Sequence, residues 1–198
     1  MPKTLDENKE MMIIQSAREL FGKFGYKKTT IDDIAQAASI AKGTVYIYFQ
    51  NKKQLLVRIG MQSLLQSQDK LEQELADSDD EAWKFKQIIA RRAEDLYAFA
   101  EQFPDALEII PFLEHEELVR EGGDKYFGKV ISMLHNTLTA GVEKNIFQVD
   151  DVSSFIDNTC FMSRAFEPPY KKVGSQEQLQ HHIHLYTDTL LNSIRKIK

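Results

Sequence analysis

The chain predicts an all-α fold, and three observations carry that expectation. Apolar residues recur at intervals of three and four through nearly every segment, the period of a helix buried along one side. Thr30 with Asp33, and Asn51 with Gln54, stand at the spacing of a capping box, in which two side chains reciprocally satisfy the free N–H groups of a helix start. Breakers are sparse, with nine Gly and five Pro in 198 residues. That composition leans helical, and at 42% apolar and 28% charged residues it can bury a core of its own.

Each element follows in order. Ile13, Ala17, Leu20 and Phe24 share a face with Ile14 and Phe21 beside them, and Gly25 sits where a left-handed helix stop belongs. Thr30 opens a second, short helix whose apolar positions are Ile31, Ile34, Ala35 and Ala38. After a turn at residues 38–41 comes Thr44-Val45-Tyr46-Ile47-Tyr48-Phe49, a run whose composition favours a strand. A lone strand among helices would leave its backbone groups unpaired. Wound as a helix, the run puts Val45 and Phe49 on one face and leaves Lys42, Thr44, Tyr46, Ile47 and Tyr48 on the others. Asn51 then opens a fourth helix with Leu55, Leu56 and Ile59 in its stripe. Three short helical segments joined by tight turns predict a helix-turn-helix domain over residues 1–53.

Residues 54–198 predict a larger helical domain. Asp77-Ser78-Asp79-Asp80 caps a helix through Trp83, Ile88, Ile89, Leu96 and Phe99; Gly122-Gly123 is expected to close the region after it. Tyr126 to Val142 reads as a helix with Val130, Ile131, Leu134, Leu138 and Val142 inward. Val152 to about Phe166 and a last helix from about Gln176 complete the set.

Charge divides with the domains. Residues 1–60 hold ten Lys/Arg against six Asp/Glu, net +4, and the remainder carries −9. A basic module on an acidic body suits a protein whose first domain meets a polyanion. The N-terminal MPKTLDENKEMM lacks the apolar core of a signal peptide, no apolar run approaches the ~20 residues of a membrane span, and the single cysteine, Cys160, permits no intrachain disulfide. A cytoplasmic protein is expected, with no membrane partner.

The helix-turn-helix resolves the contradiction of the third helix. A recognition helix lies in the major groove, so polar, β-branched and aromatic side chains suit it despite weak helix propensity. Tyr46 and Tyr48 offer hydroxyls to phosphates, Thr44 reaches a phosphate or base, Ile47 packs on a thymine methyl, and Gly43 lets the backbone approach. Thr30 and Lys42 flank that face. Lys52 and Lys53 stand at a helix N-terminus, where the macrodipole disfavours cations by ~0.3–1 kcal/mol each unless a phosphate lies in front.

From Thr29 to Leu56 the residues, Thr-Thr-Ile-Asp-Asp-Ile-Ala-Gln-Ala-Ala and then Lys-Gly-Thr-Val-Tyr-Ile-Tyr-Phe-Gln-Asn-Lys-Lys-Gln-Leu-Leu, resemble the DNA-binding domain of TetR/AcrR transcriptional regulators. With Ala17, Leu20, Phe21, Phe24, Gly25 and Tyr26 the resemblance covers roughly residues 10–60, and Thr44, Tyr46, Phe49, Lys52 and Leu55 at fixed spacing make it specific. It implies a homodimeric repressor of double-stranded DNA whose C-terminal domain binds a small-molecule effector, needs no cofactor and catalyses nothing. Such regulators usually carry Gly at the position of Ser39 and Ser or Thr at that of Ala41. Ser39 must therefore adopt a turn that suits Gly better, and the recognition helix loses its usual N-cap.

Two other classes compete with this reading. An all-helical enzyme finds no support in GxSxG, P-loop, GxGxxG, HExxH or Cys/His patterns. A helical adaptor would bind protein and not duplex DNA. His181-His182-Ile183-His184 diverge around a helix and lack a completing ligand, so no metal site is expected; His115 among Glu114, Glu116 and Glu117 reads as a solvated face, and Cys160 as packing. Effector-lining residues are expected among Tyr97, Phe103, Phe112, Tyr126, Met133, Phe161, Arg164 and Phe166. A dimer interface is expected from Phe155, Thr159 and Met162 with the terminal stripe of Leu179, Ile183, Tyr186, Leu190 and Ile194.

Overall fold

A computed structural model describes residues 6–105, 117–166 and 175–196. Its helices are α1 (Glu7–Phe24), α2 (Ile31–Ala37), α3 (Lys42–Tyr48), α4 (Lys52–Ala76), α5 (Glu81–Gln102), α6 (Glu117–Glu143), α7 (Val152–Ser163), a 3-10 turn at Arg164–Phe166, and α8 (Gln176–Ile194). No helix among the described residues is long and apolar enough to cross a membrane.

The start signals expected at Thr30, Asn51 and Asp80 are used, and Asp6 and Ser175 add two more. Asp6 accepts the N–H groups of Asn8 and Lys9 to cap α1. Thr30 and Asp33 form the capping box of α2 in both directions, and the bonds from Thr30 hold the Asp33 carboxyl below the usual carboxylate range. Asn51 accepts from the Gln54 N–H at 2.9 Å, while the Gln54 amide reaches one residue further back, to the N–H of Gln50. Asp80 caps α5 through Ala82 and Trp83. Ser175 and Gln178 box the start of α8. Gly25, at φ 88, ends α1 by donating to the Phe21 carbonyl.

Two compact units emerge, Met1–Ser63 with Phe99–Gly123 and Leu64–Ala98 with Asp124–Lys198. The first has one core, built by Ile13, Ile14, Ala17 and Phe21 of α1, Ile31, Ile34 and Ala35 of α2, Val45 and Phe49, and Leu55, Leu56 and Ile59 of α4. Because those α4 residues share this core, the first unit reaches ten residues past the role boundary expected at 53/54. Phe24 departs from the expected stripe and is exposed.

In the second unit, Phe85, Ile88, Ile89, Val130, Met133, Leu134, Leu138 and Ile156 are buried. Gly122-Gly123 does not close a region: both lie inside α6. Two glycines weaken a helix by about 1 kcal/mol each, a local preference that tertiary packing readily overrides. Ile131 and Val142, expected inward, are exposed, while Met133 and Thr137 take the inward positions. After α6 the chain turns at Asn145, φ 57, and Phe147 pairs with Arg195 in an isolated bridge, with Gln148 N–H donating to Ile194 at 2.7 Å.

Candidate nucleic-acid interface and effector domain

The recognition helix α3 is fixed from behind and open in front. Val45 is fully buried and Phe49 follows it into the core, with Ile40 and Tyr48 packed alongside. On the other faces Ile47 is 58% and Tyr46 47% exposed. Lys42, Gly43 and Thr30 are exposed and Thr44 is half-buried, with open space around the Gly43 Cα. A large aliphatic side chain displayed beside a tyrosine is unfavourable in water and suits a groove that removes it.

Several of the expected contacts carry internal partners, Thr30 through the capping box of α2. Lys42 Nζ pairs with Asp32 of α2 at 2.8 Å, which raises its pKa and offsets part of its charge. Tyr48 is half-buried and its hydroxyl accepts the Asp6 N–H at 3.2 Å. Lys52 requires a correction. Its ammonium, expected to meet a phosphate, donates to the carbonyls of Tyr26 at 2.6 Å, Thr29 at 2.8 Å and Lys27 at 3.4 Å. It also stands 4.3 Å from the Tyr26 ring centroid. Burial lowers its pKa, with the Asp105 carboxylate opposing. An ammonium has three donors, and here all of them close the loop between α1 and α2. Lys53, half-buried on the first turn of α4, keeps the phosphate expectation.

The two departures from the usual pattern have visible consequences. Ser39 is left-handed, φ 54, and Ala41 provides no side-chain cap to α3. Ser39→Gly is expected to stabilise the protein by about 0.5–1 kcal/mol, since the strain of a left-handed L-residue exceeds the added chain entropy of glycine. A denaturant midpoint that falls on this substitution overturns the strain argument.

The expected effector residues separate. Tyr97 and Phe166 pack together against Ala93, Leu179 and Ile183. Tyr126 and Met133 are buried in α6, with the Tyr126 ring edge-on to Phe127 at 5.7 Å. Phe103 is a correction: it belongs to the core of the first unit, where it meets Phe99 at 5.0 Å. Phe161 is 70% exposed. With the exposed Arg164 it lines an open cleft of about 300 Å³ shared with Arg92, Phe127, Asp157 and Cys160. Phe112 lies outside the described residues, as do His115, Glu114 and Glu116.

Sequence reasoning missed a set of polar side chains inside this unit. Gln68 is fully buried and neither its amide oxygen nor its nitrogen has a hydrogen-bond partner. Next to it, Ser67 donates to Asp95 at 2.8 Å. Arg92 lies over the Phe127 ring at 4.6 Å and donates to Ser163 at 3.5 Å. The signal was present: Gln68 shares the 68, 71, 75 stripe with Leu71 and Leu75, and Arg92 follows Ile88 and Ile89 at helical spacing. A polar residue in an apolar stripe needs a partner.

Burial pushes the Asp95 carboxyl up to about 6, against the lowering hydrogen bond from Ser67. A carboxyl whose folded pKa is raised contributes stability below its unfolded value, and that contribution is lost as pH rises towards the folded value. Asp95→Asn keeps an acceptor for Ser67, so its melting temperature is expected to equal wild type at pH 4 and exceed it above pH 6. A pH-independent difference between the two melting curves contradicts this.

The dimer stripe is the largest correction. Leu179, Ile183 and Ile194 are buried within the single subunit, as is Thr159, so they have no surface left for a partner. Tyr186 is half-buried and donates its hydroxyl to the Thr159 carbonyl at 3.0 Å; Leu190 and Phe155 are also half-buried. Of the expected residues Met162 keeps an exposed surface, at 56%, and α7 and α8 also expose Phe161 and, at 52%, Leu185.

An α1–α3 core that displays one helix is the arrangement of a helix-turn-helix domain. Residues 13–59 match the family described as bacterial regulatory proteins, tetR family. The likeness to that family is carried by this N-terminal segment. It is 40% identical over 52 residues to an uncharacterized HTH-type transcriptional regulator, YhgD, of Bacillus subtilis, covering 26% of this chain and 27% of that one. The first curated relatives are matched over 18 to 43% of their own length. A transcriptional regulator from Cytophaga hutchinsonii shares the fold with a TM-score of 0.75 at 17% identity, over 96% of this chain and all of the other. The regulator FadR of Bacillus subtilis, solved with stearoyl-CoA, does so with a TM-score of 0.66 at 19% identity, over 94% and 100%. These relatives are regulators, not enzymes.

Proposed function

We propose that the protein is a homodimeric repressor in the cytoplasm that binds a near-palindromic operator and is modulated by a small apolar or amphipathic effector. In this reading residues 1–53 read DNA and 54–198 bind effector and partner. The observation that carries it is the recognition helix, whose exposed Tyr46 and Ile47 sit on a scaffold anchored by Val45 and Phe49. The unpartnered Gln68 amide supports an effector with a polar end, because a buried amide without partners costs about 1–3 kcal/mol that a ligand can offset. Acyl-CoA thioesters are the first class to test, given the stearoyl-CoA bound to a fold neighbour.

The test is titration of duplex DNA from the promoter of the protein's own gene, with salt varied. Ile47→Ala and Tyr46→Ala are expected to cost about 1–3 kcal/mol of operator affinity each without lowering the melting temperature. Lys53→Ala is expected to weaken all sequences alike and reduce the salt slope by about one unit. Binding that is indifferent to both α3 substitutions sinks the DNA reading and favours a protein-binding adaptor.

A further inference from the structure

We infer that two copies of this chain meet with their α7 helices antiparallel about a twofold axis at Phe161, Asp157 of each pairing with Arg164 of the partner subunit. The inference rests on the dimer proposed above and supplies its register. Asp157, Phe161 and Arg164 line one cleft. Their spacing of four and three residues puts them on one face, which the 3-10 turn continues to Arg164. Phe161 is the most exposed large apolar side chain among the described residues, and Met162 and Leu185 extend the surface. Among those residues Asp157 and Arg164 enter no ion pair with any other part of the subunit.

An aromatic flanked by an acid on one side and a base on the other is complementary to itself in one direction only. Antiparallel copies place each carboxylate opposite a guanidinium, twice by symmetry; parallel copies oppose like charges. Asp157 lies four residues before Phe161 and Arg164 three after, so the pairing is staggered by one residue, about 1.5 Å along the axis. The long arginine side chain spans that stagger. The two Phe161 rings then meet each other at the axis, in the position where interfaces concentrate their apolar anchors.

Sedimentation equilibrium of the full chain tests the register. Asp157→Arg and Arg164→Asp alone are each expected to weaken the dimer roughly tenfold or more, since symmetry introduces each repulsion twice. The double variant is expected to return to within about threefold of wild type. In a Cys160→Ser background, Phe161→Cys is expected to form a disulfide-linked dimer on mild oxidation. Asp157→Cys in the same background is expected not to, because the two copies of residue 157 stand about 12 Å apart along the axis, beyond disulfide reach. A wild-type dimer with neither charge-swap rescue nor the Phe161→Cys link overturns this register while the dimer stands. A wild-type monomer at micromolar concentration overturns both.

Discussion

Lys52→Met is expected to lower stability by about 2–3 kcal/mol, or roughly 5–10 °C in melting temperature for a chain of this length. The substitution keeps the stem that packs by Tyr26 and removes only the charge and its donors. Left behind are the carbonyls of Tyr26, Lys27 and Thr29, two of them in part-buried bonds, in a loop whose next residue, Thr30, caps α2. Operator affinity is expected to fall through that loosened loop, with the salt slope unchanged. Circular dichroism melting and salt titration separate the two roles. A stable variant whose slope falls by one unit would return Lys52 to the phosphates.

Gly141→Ala is expected to cost about 3 kcal/mol or more and to leave little folded protein at physiological temperature. A Cβ at this position would overlap the Phe147 ring, with its Cγ at 3.0 Å and two ring carbons closer still. Phe147 has nowhere to go: it is buried, and its backbone is held by the Gly141 carbonyl, which also accepts from Ile146. Overpacking ordinarily costs about 1–3 kcal/mol, and here the bridge to Arg195 and the bonds at Gln148 and Lys196 restrain relaxation. Phe147→Ala in the same chain makes room for the methyl group, so a double variant less destabilised than the sum of its two single substitutions identifies the contact. Strict additivity rules it out.

Much of the first domain was legible because its signals are local. A capping box spans three residues and a glycine stop one, so Thr30, Asp33, Asn51 and Gly25 could be read from their neighbours alone. The strand-like run at residues 44–49 was assigned to a helix by its lack of a partner, and its inward pair, Val45 and Phe49, is the pair the core buries. The start of α5, expected at Asp80, depends on the same short-range chemistry, as do the caps that Asp151 and Ser175 supply to α7 and α8. The donor at Lys52 was misread for the opposite reason. Its carbonyl partners lie 23 to 26 residues earlier in the chain, and no periodicity records them.

By itself the sequence determined that this chain is helical, that residues 31–49 form a helix-turn-helix, and which face of each short helix turns inward. Those follow from period and capping, which act over a turn or two. Only the tertiary structure decided which apolar stripe is covered by the subunit and which is left for a partner. Leu179, Ile183 and Ile194 look no different in sequence from Phe161, Met162 and Leu185, yet the first three are buried and the last three exposed. Hydrophobicity is a property of the side chain, whereas burial is a property of what else arrives beside it, and that is set by contacts between residues far apart in the chain.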